Sequence, residues 1–152
     1  MSQNRRIWVD ADACPRPMRD IIIKAAQRVK ITTTFVANHN LGISRSEWVS
    51  AVQVSSGFDV ADDYIVEQCQ PGDLVISNDI PLADEVISKG GKVINLRGET
   101  LSSANIKSRL NMRDFMETMR SSGEHTGGPP PLSARDRMIF GNALDRFLAH
   151  LS

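Results

Sequence analysis

The chain has 152 residues, 41% of them hydrophobic and 24% charged, which suits one globular domain able to bury a real core. Eighteen basic residues balance eighteen acidic ones, so net charge offers no broad electrostatic footprint for nucleic acid. No apolar run nears the ~20 residues of a membrane span, the opening Met1 to Arg6 leads into a strand without a signal-peptide core, and two cysteines are too few for a disulfide framework or a structural zinc site; a reducing cytoplasm is the expected home.

The first 100 residues alternate between β-rich runs and helix-period runs. Arg6 to Asp10 reads as a strand. Pro15 then opens a helix, where a missing amide hydrogen has no consequence. Met18, Ile21, Ile22, Ala25, Ala26 and Val29 recur at three- and four-residue steps and form one apolar face. Ile31 to Ala37 is β-branched and reads as a second strand, and Trp48 to Val54 as a third. Phe58 to Cys69 carries Phe58, Ala61, Ile65 and Cys69 on one helical face and stops at Pro71-Gly72. Leu74 to Ser77 has the apolar brevity of a strand buried on both sides. Pro81 opens a helix that ends at Gly90-Gly91, and Lys92 to Leu96 is the last expected strand. Beyond Ser102 only helix periodicity remains, interrupted by a Gly/Pro-rich loop at 121–133. The final helix stacks Phe140, Ala143, Leu144, Phe147, Leu148 and Leu151. Such alternation predicts a mostly parallel sheet with helices on both faces and right-handed crossovers, within a single domain over residues 1–152.

Ligands of open parallel sheets bind beyond the carboxyl ends of the strands, and acids accumulate there. Asp10 closes the first strand, Asp12 comes two residues later, and Asp79 lies two residues past the Leu74 to Ser77 run. At 100° per residue, Asp62 flanks the apolar face of its helix, while Asp59 and Asp63 point away, with Asp59 suited to a cap. Hard cations such as Mg²⁺ and Mn²⁺ favour carboxylate oxygens, whereas the same acids without a cation repel one another. Taken singly, each aspartate also reads as a turn residue or a helix cap.

The segments Ile7-Trp-Val-Asp-Ala-Asp-Ala-Cys-Pro15, Phe58-Asp-Val-Ala-Asp-Asp63, Ile76-Ser-Asn-Asp-Ile-Pro-Leu-Ala83 and Gly127-Gly-Pro-Pro-Pro-Leu-Ser-Ala-Arg-Asp-Arg137 resemble the bacterial YaiI/YqxD family over nearly the whole chain. That family is similar in turn to the PIN-like nuclease superfamily. The resemblance implies a PIN-like three-layer fold and a divalent metal, Mg²⁺ or Mn²⁺, used in phosphodiester hydrolysis. Its metal roles fall on Asp10, Asp62 and Asp79, with Ser77 and Asn78 completing the last motif. Ile80-Pro81-Leu82 stands where such nucleases often carry a further acid, and Asp12 is the candidate to replace it or to act as general base. Arg135 and Arg137, at the start of the last helix, are candidates for holding substrate phosphate, with RNA the favoured substrate.

Two other readings use the same residues. Asp10-Ala-Asp12, with Gly72-Asp73 and Asn78-Asp79, mimics a haloacid-dehalogenase-type phosphatase, although Ala-Cys comes after the first pair. A binding module that keeps the pocket without catalysis is the third reading. Cys14 reads as a small buried hydrophobe and His39 as a turn residue with an alternative catalytic role. Arg97, Lys107, Arg109, Arg113 and Arg120 are interleaved with Glu99, Asp114 and Glu117, the pattern of an ordinary solvated surface.

Overall fold

The computed structural model describes residues 5–43, 45–57, 60–121 and 132–149, with side chains throughout except at 13, 113 and 116–121. Its frame is a six-stranded sheet. The strands are β1 (Ile7–Asp10), β2 (Thr33–Ala37), β3 (Val49–Gln53), β4 (Leu74–Ile76), β5 (Lys92–Ile94) and β6 (Thr100–Leu101), arranged β3-β2-β1-β4-β5-β6. The first five are parallel, and β6 runs antiparallel to β5. The helices are α1 (Arg16–Val29), α2 (Val60–Gln68), α3 (Ile80–Ser88), α4 (Ile106–Ser121) and α5 (Ala134–Ala149).

Strand alternation assigns the layers. Ile7 and Val9 face α1 and α5, where they meet Met18, Ile22, Phe140 and Leu144. Trp8 faces the other way, into a core with Ile65 of α2, Leu82 and Val86 of α3 and Ile106 of α4. All of these are buried, each stabilising the fold by roughly 1.5–3 kcal/mol if large and aliphatic or aromatic. The result is a three-layer α/β arrangement with a helical C-terminal segment. Among the described residues no helix is long and apolar enough to cross a membrane.

Chain growth reverses at β1. Strands β2 and β3 are added on one side, β4 and β5 on the other, so the topological switch point lies between β1 and β4. Their register is Ile7 with Leu74 and Val9 with Ile76, which sets Asp10 beside Ser77 at the carboxyl edge.

Several boundaries differ from the sequence reading for local reasons. The second strand starts at Thr33 rather than Ile31, because Lys30 adopts a left-handed conformation (φ 62°) and the Lys30 and Ile31 amides both donate to Ala26 O, at 2.8 and 3.1 Å. Strand β5 ends at Ile94, since Asn95 to Gly98 form the turn into β6, a strand the periodicity did not reveal. Gly98 has φ 83°, and a Cβ there would lie 2.9 Å from both Cγ2 and O of Ile139, so this turn packs directly on α5. The loop residues 122–131 and the expected cap Asp59 lie outside the described residues.

Candidate functional site at the switch point

The Ser77 hydroxyl organises the carboxyl edge. It donates to Asp10 Oδ2 at 2.8 Å and accepts from the Asp79 amide at 2.9 Å, while Ser77 itself is 2% exposed. This short Ser-x-Asp turn sends Asp79 into the N-cap of α3, where Oδ1 accepts from the Leu82 amide at 3.0 Å. Among the described residues, Asp10 Oδ1 and Asp79 Oδ2 accept no hydrogen bond. Burial pushes the Asp10 carboxyl above its ordinary value, the Ser77 hydrogen bond draws it back, and the charges of Asp79 and Asp12 push it up again. Strands β1 and β4 thus bring two carboxylates into mutual repulsion at a partly buried edge.

Asp62 lies in the first turn of α2, half-buried, whereas Asp63 beside it is exposed. Helix α2 packs against β1 and β2, and its first turn is at the carboxyl edge because it descends from β3 before β4 begins. Asp12 turns toward β2. Both of its oxygens accept from the Asn38 amide at 3.2 Å, and His39 Nδ1 stands 3.0 Å from Oδ1. The histidine is therefore the partner of a site carboxylate, a role its sequence position alone does not disclose; only the adjacency of β1 and β2 brings the two loops together. Asn78 Oδ1 accepts from the Leu96 amide at 2.8 Å, so this side chain ties the end of β4 to the end of β5.

The arginines at the start of α5 stand farther off. Asp136 caps the helix through Ser133 and pairs with Arg97 at 3.1 Å, which ties this helix start to the turn after β5. Arg135 is exposed and Arg137 partly so; neither contacts a described acid of the site. Arg109 is engaged by Glu99, and the side chains of Arg113 and Arg120 lie outside the described residues. Cys14 and Cys69 are buried free thiols, pushed up to about 12 and about 11, chiefly by burial.

Asp73 lies at the opposite edge. It is 1% exposed and accepts from the Arg6 amide (3.0 Å), Trp8 Nε1 (3.1 Å) and the Gln70 amide (2.9 Å). Placed at the amino end of β4, it is a structural acid, so the Gly72-Asp73 part of the phosphatase reading lies away from Asp10, whereas the Asn78-Asp79 part lies beside it.

Among the described residues no group of three or more His, Cys, Asp or Glu side chains converges closely enough to hold a metal by itself. Mg²⁺ is commonly held by one or two carboxylates, with waters and substrate phosphates filling the rest. The open oxygens of Asp10 and Asp79 fit that pattern.

Together these features define a three-layer α/β protein with a carboxylate pair at the switch point of a mostly parallel sheet. A family profile described as "Uncharacterized BCR, YaiI/YqxD family" matches residues 8–150, and the chain belongs to that family. A UPF0178 protein of Saccharophagus degradans is 59% identical over 143 residues, covering 94% of this chain and 95% of its own. One from Colwellia psychrerythraea is 59% identical over 143 residues, covering 94% and 95%. One from Vibrio atlanticus is 57% identical over 144 residues, covering 95% and 98%. No solved structure matches.

Proposed function

We propose that the protein is a divalent-metal-dependent phosphodiester hydrolase acting on RNA. The observation that carries this reading is the carboxylate pair Asp10 and Asp79, linked through the Ser77 hydroxyl at the ends of adjacent strands. Without a cation such a pair opposes its own burial, and a cation reverses the sign of that interaction. When bound, Mg²⁺ or Mn²⁺ supplies Lewis-acid activation of water and offsets charge on the scissile phosphate. Asp10 and Asp79 hold it through their open oxygens, and Asp62 extends the acidic surface from α2. Asp12, 30% exposed in its side chain and steadied by His39, is a base at the rim of the site. Arg135 and Arg137 stand on the outer side, beyond β5, where they meet the phosphates of a bound strand. Balanced net charge disfavours tight, sequence-independent duplex binding, which rests on many phosphate contacts, so short single-stranded or structured RNA is the better substrate. Two unpaired thiols suit a reducing cytoplasm.

The test has two readouts. Mn²⁺ raises the melting temperature of the wild type, since a ligand of the native state stabilises it by mass action, and Asp10→Asn with Asp79→Asn abolishes the shift. Purified protein with Mn²⁺ cleaves single-stranded RNA, and identically prepared Asp79→Asn does not. Equal metal shifts in wild type and double mutant, or equal cleavage by wild type and Asp79→Asn, would refute the proposal.

A further inference from the structure

Helix α1 leaves the carboxyl edge directly after Pro15 and presents a stripe at helical spacing, Arg16, Arg19, Ile23 and Gln27. The segment after β2 stands opposite, with Leu41 and Ile43 as its apolar contacts. Between them is a cavity of about 430 Å³, within the range of small-molecule sites. The stripe covers eleven residue steps, or about 16 Å at 1.5 Å per residue.

The chemistry of the walls is graded along that length. Arg16 and Arg19 lie at the end nearest the carboxyl edge, with Asp20 beside them, so two guanidinium groups face one carboxylate. Arg19 is the informative side chain. Among the described residues its Nε is buried with no hydrogen-bond partner, and its Nη1 reaches the Leu41 carbonyl only at 3.5 Å, near the outer limit for such a bond. A buried charged donor without an acceptor is costly, and the guanidinium as a whole, in a residue only partly buried, has the planar fork that holds an oxyanion. Farther down, Ile23, Leu41 and Ile43 offer an apolar surface for a flat ring. Gln27 at the far end carries a donor and an acceptor, the pair with which an amide reads the edge of adenine.

We propose that this cavity is a nucleotide subsite, with a phosphate at Arg16 and Arg19 and the base between Ile23, Leu41 and Ile43. Resting on the hydrolase reading, the nucleotide belongs to an RNA strand that continues to the Asp10–Asp79 pair. Ala11 to Pro15 are all that separates the end of β1 at Asp10 from the start of α1 at Arg16, so the cationic end of the cavity adjoins the acid edge.

Calorimetric titration of the full-length protein in EDTA, where metal-dependent cleavage is silent, tests the site. The probes are inorganic phosphate, adenosine 5′-monophosphate and an RNA tetranucleotide. The nucleotide and the RNA bind the wild type, with the RNA tighter. Arg19→Met keeps the apolar stem and removes the fork, and Arg16→Glu reverses a charge at an exposed position that leaves folding untouched. Each weakens binding tenfold or more. Unchanged affinity in Arg16→Glu and Arg19→Met, or no binding of either nucleotide probe, overturns the subsite. Phosphate binding as tightly as the mononucleotide overturns the role of the apolar wall, and RNA no tighter than the mononucleotide overturns its assignment to a strand. A wild type that binds RNA through these arginines yet cleaves nothing in Mn²⁺ supports the subsite and refutes the hydrolase reading alone, so the two failures are separable.

Discussion

Asp73 offers the sharpest quantitative test of the structure, because its two oxygens satisfy three donors from two segments. Oδ2 accepts from Trp8 Nε1 and the Gln70 amide, and Oδ1 from the Arg6 amide. In Asp73→Asn the amide oxygen takes the Oδ2 position and keeps two bonds, leaving the Arg6 N–H facing another donor. One unsatisfied donor costs about 1–3 kcal/mol. Asp73→Ala orphans all three. Trp8 is buried, but Arg6 and Gln70 are exposed and regain water, so the loss is about 3–5 kcal/mol rather than three full penalties. At roughly 2–4 °C per kcal/mol for a chain of this size, the melting temperature falls by about 2–12 °C in Asp73→Asn and about 6–20 °C in Asp73→Ala. Urea unfolding followed by tryptophan fluorescence measures both, with Trp8 as a local reporter. The melting shift caused by Mn²⁺ is expected to persist in Asp73→Asn, since the residue lies at the amino edge. Equal losses in the two variants, or losses below ~0.5 kcal/mol of the kind seen at ordinary surface sites, would refute the reasoning.

Gly98→Ala combines a left-handed φ of 83° with a Cβ 2.9 Å from the Ile139 carbonyl oxygen; a cost of about 2–3 kcal/mol is expected from the conformational penalty plus displacement of α5, measured by the same unfolding assay. Asp10→Asn stabilises the metal-free protein at pH values above the raised Asp10 value, where the wild-type carboxylate is ionised at a buried, repulsive site. As pH falls through that raised value the wild type takes up a proton and the penalty is relieved, so the advantage of the variant shrinks; an advantage that grows toward low pH contradicts the site's electrostatics. Cys14 and Cys69, at about 12 and about 11, hold almost no thiolate at pH 8. Disulfide reagents titrate no thiol in the native protein and two after denaturation, and rapid native labelling would place a thiol at the surface.

Much of this architecture is legible in the residues. The three- and four-residue recurrence from Met18 to Ala26 marks the face of α1 that packs under the sheet, and the brevity of Leu74 to Ser77 marks a strand buried on both sides. Strand β6 escapes because two residues carry no period. The acids divide in the same way. Asp10 and Asp79 are visible as strand-end carboxylates, but their proximity depends on β1 and β4 being neighbours, a property of topology and not of spacing. Asp79 is at once the cap of α3 and a member of the pair, so cap and site residue are not alternatives at that position. His39 is legible as a loop histidine with an alternative catalytic role, but its partnership with Asp12 is not, since that residue lies 27 positions earlier in the chain and only the pairing of β1 with β2 closes the gap.

The hydrogen bond between Asp10 and Ser77 spans 67 positions of sequence. The strands on one side of it, β1, β2 and β3, come from the residues up to Gln53, and β4 and β5 on the other side come from later residues. Cutting the backbone between Gln53 and Val60 therefore divides the protein into two contiguous parts that each retain neighbouring parallel strands, and neither part owns both carboxylates. Reassembly of the two fragments along the β1–β4 seam is the event that recreates the acidic pair. Fragment complementation, with Mn²⁺ binding as the signal, turns the site into a sensor of whether the two parts of the sheet have joined.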